Sequence, residues 1–112
     1  MEHRSQNFKI SKATALQQLA ESKQEFIPLF TKGSLKIEIY KPDTTDKQQP
    51  HTRDEIYVIV SGTAMFYNEG VEVEVMAGDC LYVPAFAEHH FLNFSGDFVT
   101  WVFFYGPEGG EK

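Results

Sequence analysis

Cysteine is almost missing from this 112-residue chain. With Cys80 alone, no internal disulfide can form, so a packed core has to hold the fold, and the redox signature is that of a reducing compartment. Cys80 sits in a short apolar run and is expected to be a buried, unreactive thiol. Basic residues are also scarce, 10 Lys and Arg against 16 Asp and Glu, for a formal charge of −6. That balance excludes nucleic acid and anionic membrane surfaces as partners, because both need a basic patch. No run approaches the ~18 apolar residues of a membrane span. The opening Met-Glu-His-Arg-Ser-Gln-Asn has no apolar leader, which makes the expected location cytoplasmic.

Aromatic residues are plentiful. The chain is 42% hydrophobic and 14% aromatic, with 10 Phe, which excludes a disordered chain. Its length suits one domain over 1–112 with a single core. Residues 1–7 and 106–112 are polar or glycine-rich and are expected to be flexible tails. Helical signal is thin: Ser11 can cap one short helix over 12–22, with Ala15, Leu16 and Leu19 as its apolar stripe. Everything after it has the period of strands. Residues 25–30 form an edge strand around Pro28, and Leu35 to Tyr40 alternates apolar and charged residues as a half-exposed strand does. Further strands follow at 56–60, 63–67, 71–75, 80–83, 89–94 and 98–105. Asn68-Glu69-Gly70, Gly78-Asp79, Pro84-Ala85 and Ser95-Gly96-Asp97 turn the chain between them. About eight short strands at hairpin spacing predict an all-β fold, a small antiparallel barrel or jelly roll with one N-terminal helix.

The stretch most suggestive of chemistry is Gln49 to Gly62. Gln49, His51 and Glu55 share one parity, so an extended backbone puts all three on one face ahead of the apolar run Ile56 to Val60. A His and a carboxylate at the mouth of a buried strand begin a metal site. His89, in the block Gly78 to Asn93, is the candidate third ligand. Tyr57 and Arg53 share Glu55's parity. Tyr57 is either a core aromatic or a substrate contact, and Arg53 either a solvated rim charge or a receptor for a carboxylate. Asp54 and His90 lie on the opposite parity, which suits supporting or surface roles rather than ligation. Phe66, Phe91, Phe94, Phe98, Trp101, Phe103 and Phe104 are first of all core, and some of them are candidates to line an apolar pocket.

These two blocks resemble the two motifs of the cupin family, G-x5-H-x-H-x(3,4)-E-x6-G and G-x5-P-x-G-x2-H-x3-N. His51, Glu55 and Gly62 match the first motif in spacing, and Gly78, Pro84, His89 and Asn93 match the second. Three positions depart: Asp43 stands for the opening Gly of the first motif, Gln49 for its first His, and Phe86 for the inner Gly of the second. The Asp43 and Phe86 changes are expected to alter loop shape. The resemblance covers about residues 35–105 and implies a double-stranded β-helix barrel. It also implies one divalent transition metal (Fe, Mn, Ni, Zn or Cu) held by His51, Glu55 and His89. Gln49 would then be a fourth ligand or hydrogen-bond partner, its amide oxygen being a weaker donor than imidazole. The function it implies is a metal-dependent enzyme, of the oxygenase or isomerase type, acting on a small organic molecule. The alternative is a non-catalytic small-ligand barrel with a degenerate or metal-free site. The strands at 56–60 and 98–105 are apolar on both parities and need cover outside the barrel. A second copy of the chain, giving a homodimer, is the expected cover.

Overall fold

The helix begins where its cap predicts. In the computed structural model, which describes residues 9–112, the Ser11 hydroxyl accepts the Thr14 N–H at 3.0 Å and α1 (Lys12–Ser22) follows. Such a cap is worth about 1 kcal/mol. α1 ends at Lys23 in the left-handed region, φ 59°. The expectation about residues 1–7 lies outside the described residues.

Eight strands follow: β1 (Phe26–Lys32), β2 (Leu35–Tyr40), β3 (Asp54–Ser61), β4 (Thr63–Asn68), β5 (Val71–Met76), β6 (Cys80–Val83), β7 (His89–Leu92) and β8 (Val99–Tyr105). All pairings are antiparallel. They make a five-stranded sheet ordered β1-β2-β8-β3-β6 and a three-stranded sheet ordered β5-β4-β7. The two sheets form a jelly-roll barrel, as the hairpin spacing predicts. Between them lies an aromatic core in which Tyr57, Phe66, Phe91 and Phe98 meet edge to face or tilted, at ring separations of 4.8–5.7 Å.

β2 departs from the simple reading of its alternation. Its charged residues lie on the cleft side: Glu38 is buried, Lys36 is half-exposed, and both line the same cleft as Tyr40. The apolar side faces out, where Ile39 and Val99 pack under Ala15 and Leu19 of α1, with Leu16, Ile27, Leu29, Val60 and Trp101 around them. The apolar stripe of the helix needs an apolar partner, and the outer side of β2 and β8 supplies it. The helix therefore provides part of the outside cover that the sequence seemed to demand from a second chain.

β5 also differs from its clean alternation. Only Val75 is buried, while Val71 and Val73 are exposed, because β5 is the free edge of the smaller sheet. Cys80 is exposed rather than buried, a correction that follows from its place on β6, the other edge strand of the five-stranded sheet. Its register opposite Val58 puts it on the outer face.

Residues 106–112, expected to be flexible, are tied down. The Gly109 N–H donates to the Thr52 carbonyl at 2.7 Å, the Glu111 N–H to Asp54 Oδ2 at 2.9 Å, and the Gly106 N–H to Ser34 Oγ at 3.1 Å. Among the described residues no helix is long and apolar enough to cross a membrane.

Candidate metal centre

Two side chains, one from each sheet, and a third from the segment before β3 converge near one mouth of the barrel. Glu55 is the second residue of β3 and is fully buried; His89 opens β7 and is 2% exposed; His51 comes from the segment before β3 and is half-buried. Each offers a ligand atom within 4.8 Å of the others. His89 Nε2 lies 3.2 Å and His51 Nε2 3.7 Å from Glu55 Oε1. The donor set is the two-imidazole, one-carboxylate triad that leaves coordination positions open.

Two observations show that these residues suit a cation. First, His51 Nε2, both Glu55 oxygens and His89 Nε2 are buried without a hydrogen-bond partner. Orphaned polar atoms cost free energy, and four facing one point ask for a common partner. Second, His89 Nδ1 sits 2.9 Å from the Ala87 carbonyl. That contact places the ring proton on Nδ1 and leaves the Nε2 lone pair for the triad, the usual second support of a ligating histidine.

The two imidazoles titrate in opposite directions. Burial lowers the pKa of His51, against the smaller pull of Glu55. Burial also opposes protonation of His89, but the Glu55 carboxylate 3.2 Å away and the Ala87 carbonyl together outweigh it and raise its pKa above the ordinary histidine value. A protonated imidazole cannot ligate, so the proton competes with a metal from above the ordinary histidine value downward. Zinc affinity, measured by chelator competition, is expected to fall steadily on acidification, with the decline already present above about pH 6.5. An affinity flat across that interval would contradict the assignment of His89.

Gln49, expected as a fourth ligand or a hydrogen-bond partner, is exposed. The shared-parity argument fails for it because β3 starts only at Asp54, and the chain bends at Thr52 and Arg53. Gln48 is the glutamine that turns inward. Its Oε1 accepts the Tyr57 hydroxyl at 2.8 Å and its Nε2 donates to Asp46 Oδ2 at 2.9 Å, so both ends of the amide are engaged. Asp46 is the hub of this network: it also accepts the Tyr40 hydroxyl at 2.7 Å, the Gln48 N–H at 3.0 Å and the Phe91 N–H at 2.8 Å. The last of these fills a hydrogen bond on the free edge of β7. The 42–50 loop is thereby fastened to both sheets.

Tyr57 is a fully buried core residue whose phenol is pushed well up by burial and then by the Glu55 charge. Arg53 donates to the Ser34 carbonyl and is not part of the cavity wall. Asp54 is buried at the start of β3 and ties the Ala85 turn and the C-terminal segment to it. The Glu111 and Ala85 N–H groups, and the Tyr82 hydroxyl at 3.4 Å, hold its carboxyl below the usual aspartate range. His90 stacks on Tyr67 at 4.8 Å, away from the triad's face of β7. Phe86 takes φ 70°, in the left-handed region that favours glycine, and its N–H donates to the His51 carbonyl at 2.6 Å. The loop thus keeps the kind of backbone that a Gly would allow.

A cleft of about 510 Å³ adjoins the triad, with His51 in its wall. Phe104, one of the candidate pocket aromatics, is in that wall too; sequence reasoning missed Gln24, Glu25 and Phe26, Lys36, Glu38 and Tyr40 of β2, Lys47 and Gln48 of the loop, and Val102. The available signal was the apolar stripe of α1, which forces the charged side of β2 inward.

Residues 36–105 match the model of the cupin domain family. The chain belongs to the cupin family. An uncharacterised protein from Streptomyces coelicolor is 34% identical over 85 residues, covering 74% of this chain and 81% of that one. A cupin-2 domain protein from Shewanella frigidimarina superposes with a TM-score of 0.68 over 90% of this chain and 98% of its own, at 14% identity. A Ralstonia eutropha protein, provisionally assigned as a mannose-6-phosphate isomerase, is 27% identical, with a TM-score of 0.61 over 73% of this cupin and 83% of that chain.

Proposed function

We propose that this cupin is a divalent-metal-dependent enzyme, of the isomerase or oxygenase type, that acts on a small organic molecule. The observation that carries this reading is the convergence of four orphaned buried donor atoms from His51, Glu55 and His89 beside an open cleft. His51, Glu55 and His89 would hold the metal, which would supply Lewis-acid polarisation or, for iron, dioxygen chemistry. The protein's own contribution is orientation and exclusion of water. Phe26, Val102 and Phe104 form the apolar side of the cleft. The Asp46–Gln48–Tyr57 chain fixes the loop next to His51. The likeness to the Ralstonia protein supports the isomerase arm of the reading.

The test is turnover, or dioxygen uptake, by protein reconstituted with Fe(II), Mn(II) or Ni(II) against thiols, diketones, catechols and hydroxy acids. Turnover lost in His89→Ala is the expected result. Tight binding of a panel member without turnover would overturn the enzyme reading in favour of a binding barrel.

A second copy of the chain as partner is part of the same proposal. Phe30, Ile37, Phe103, Ile56 and Tyr82 are successive register partners across all five strands of the larger sheet, on the side that carries Ile39. α1 covers the Ile39 end of that face, while Tyr82 remains 54% exposed. Residues directly opposed across strands share a face, so they form one continuous apolar stripe. Light scattering is expected to give twice the chain mass at micromolar concentration, and a monomer would remove the proposal. Cytoplasmic residence belongs to this reading too, and fractionation of cells expressing the untagged chain checks it.

A further inference from the structure

The inner face of β2 carries a charged pair where an apolar barrel wall would be cheaper. Lys36 Nζ lies 3.1 Å from Glu38 Oε2, with the Glu38 side chain only 8% and the Lys36 side chain 41% exposed. Burying the Glu38 carboxylate beside a half-exposed ammonium gives little or no net stability over an apolar pair of similar size. The fold had an alternative, because the neighbouring residues Ile37 and Ile39 point the other way and pack outside. The pair also faces the cleft that His51 helps to line. Across that cleft Lys47 and Glu25 form a second, more exposed pair at 3.6 Å. Lys36 is Glu38's one ion-pair partner among the described residues.

A ligand entering this cleft has to separate Lys36 from Glu38 or leave them as they are. A neutral sugar leaves the pair intact and gains only weak hydrogen bonds. A phosphate ester brings nearly two negative charges, of which Lys36 can neutralise one, and the remainder repels the Glu38 carboxylate. A molecule with a carboxylate and a nearby hydroxyl takes both: its carboxylate replaces Glu38 at Lys36, and its hydroxyl donates to Glu38. Neither the buried carboxylate nor the half-exposed ammonium is then left without a partner. We propose that the cleft recognises a small hydroxy acid, with Lys36 and Glu38 as its specificity residues and the triad at the far end of the molecule. This deepens the metal-dependent reading and rests on it.

The experiment titrates zinc-loaded protein with D-gluconate, with hexanoate (no hydroxyls), with D-glucose (no carboxylate) and with glucose 6-phosphate, by calorimetry or amide chemical shifts. Gluconate is expected to bind more tightly than the other three. Lys36→Met should weaken gluconate by about tenfold or more, the loss of one charge-assisted hydrogen bond. Glu38→Gln should narrow the preference for gluconate over hexanoate. Both variants should keep the zinc content of the wild type, since neither residue is a ligand, while Lys36→Met, which leaves the Glu38 carboxylate without its partner, should lower the thermal midpoint. Gluconate binding no tighter than glucose or glucose 6-phosphate, no binding by any probe, or affinities unmoved by both substitutions would each overturn the proposal. Failure of the wild type to take up zinc would instead sink the metal reading. The same titrations on metal-free protein would then decide the carboxylate preference by themselves.

Discussion

Gly62→Ala is expected to yield little or no folded protein. Gly62 closes the turn between β3 and β4 at φ 82°, where an L side chain costs about 1–2 kcal/mol before any contact is counted. A Cβ there would stand 2.7 Å from Phe98 Cα and 2.8 Å from Phe98 N. Those are backbone atoms of a fully buried residue and cannot swing aside as a side chain tip can. The turn is also locked in place. Ser61 Oγ donates to the Asp97 carbonyl at 2.6 Å, the Thr63 N–H to Ser95 Oγ at 3.0 Å, and the Ser95 N–H returns to the Thr63 carbonyl at 2.9 Å. Relief would have to move the entry to β8, the strand that joins β2 to β3. A loss of at least about 3–4 kcal/mol is expected, a large part of the stability of a domain this size. Gly33→Ala is the control: it shares a positive φ of 59° but has nothing within 4 Å. It should cost only about 1 kcal/mol. Unfolding free energies from urea titration that agree within about 1 kcal/mol for the two variants would contradict the close-approach argument.

Asp46→Ala carries the second large effect. One half-buried carboxylate accepts four hydrogen bonds, from the Tyr40 hydroxyl, the Gln48 N–H, the Gln48 amide and the Phe91 N–H. The first two hold the loop to β2 and to itself, and the last joins it to the edge of β7. Removing the acceptor leaves donors inside the barrel without partners, each worth about 1–3 kcal/mol where water cannot reach. A net loss of about 2–4 kcal/mol is expected in urea unfolding, since the loop can relax partly toward solvent. Burial and then the Asp46 charge push the Tyr40 phenol far up. The tyrosinate absorbance of that residue should therefore appear at lower pH in the variant. A stability change under about 1 kcal/mol, or an unmoved tyrosine titration, would show that the loop is held by something else.

How far the sequence foretold this molecule depends on which force set each feature. The helix was legible because Ser11 and the Ala15–Leu19 stripe are local signals, and the strands because turns at Gly62, Gly70 and Gly78 punctuate an apolar chain. His51, Glu55 and His89 were legible because fixed spacings from those turns bring them to one mouth. The choice between Gln48 and Gln49 was not, since alternation holds only in strand and the chain bends before Asp54. The inward charge of β2 was hidden for a different reason: period-two alternation tells which residues share a face, never which face is the core. Cys80 was misplaced by the same ambiguity, its outer position following from the register of β6 on β3. The anchoring of residues 106–112 depends on buried Asp54 and the Thr52 carbonyl, long-range acceptors that no glycine-rich composition reveals.

The most direct test of the central claim is elemental analysis of protein carrying no histidine tag, beside a His51→Ala, His89→Ala variant prepared in parallel. About one divalent transition metal per chain is expected in the wild type, from growth or after anaerobic loading with Fe(II), Mn(II) or Ni(II). The variant should retain its fold by circular dichroism and hold none. A wild type that stays metal-free after loading, or a variant that binds as much, would contradict the assignment of His51, Glu55 and His89 as a metal centre.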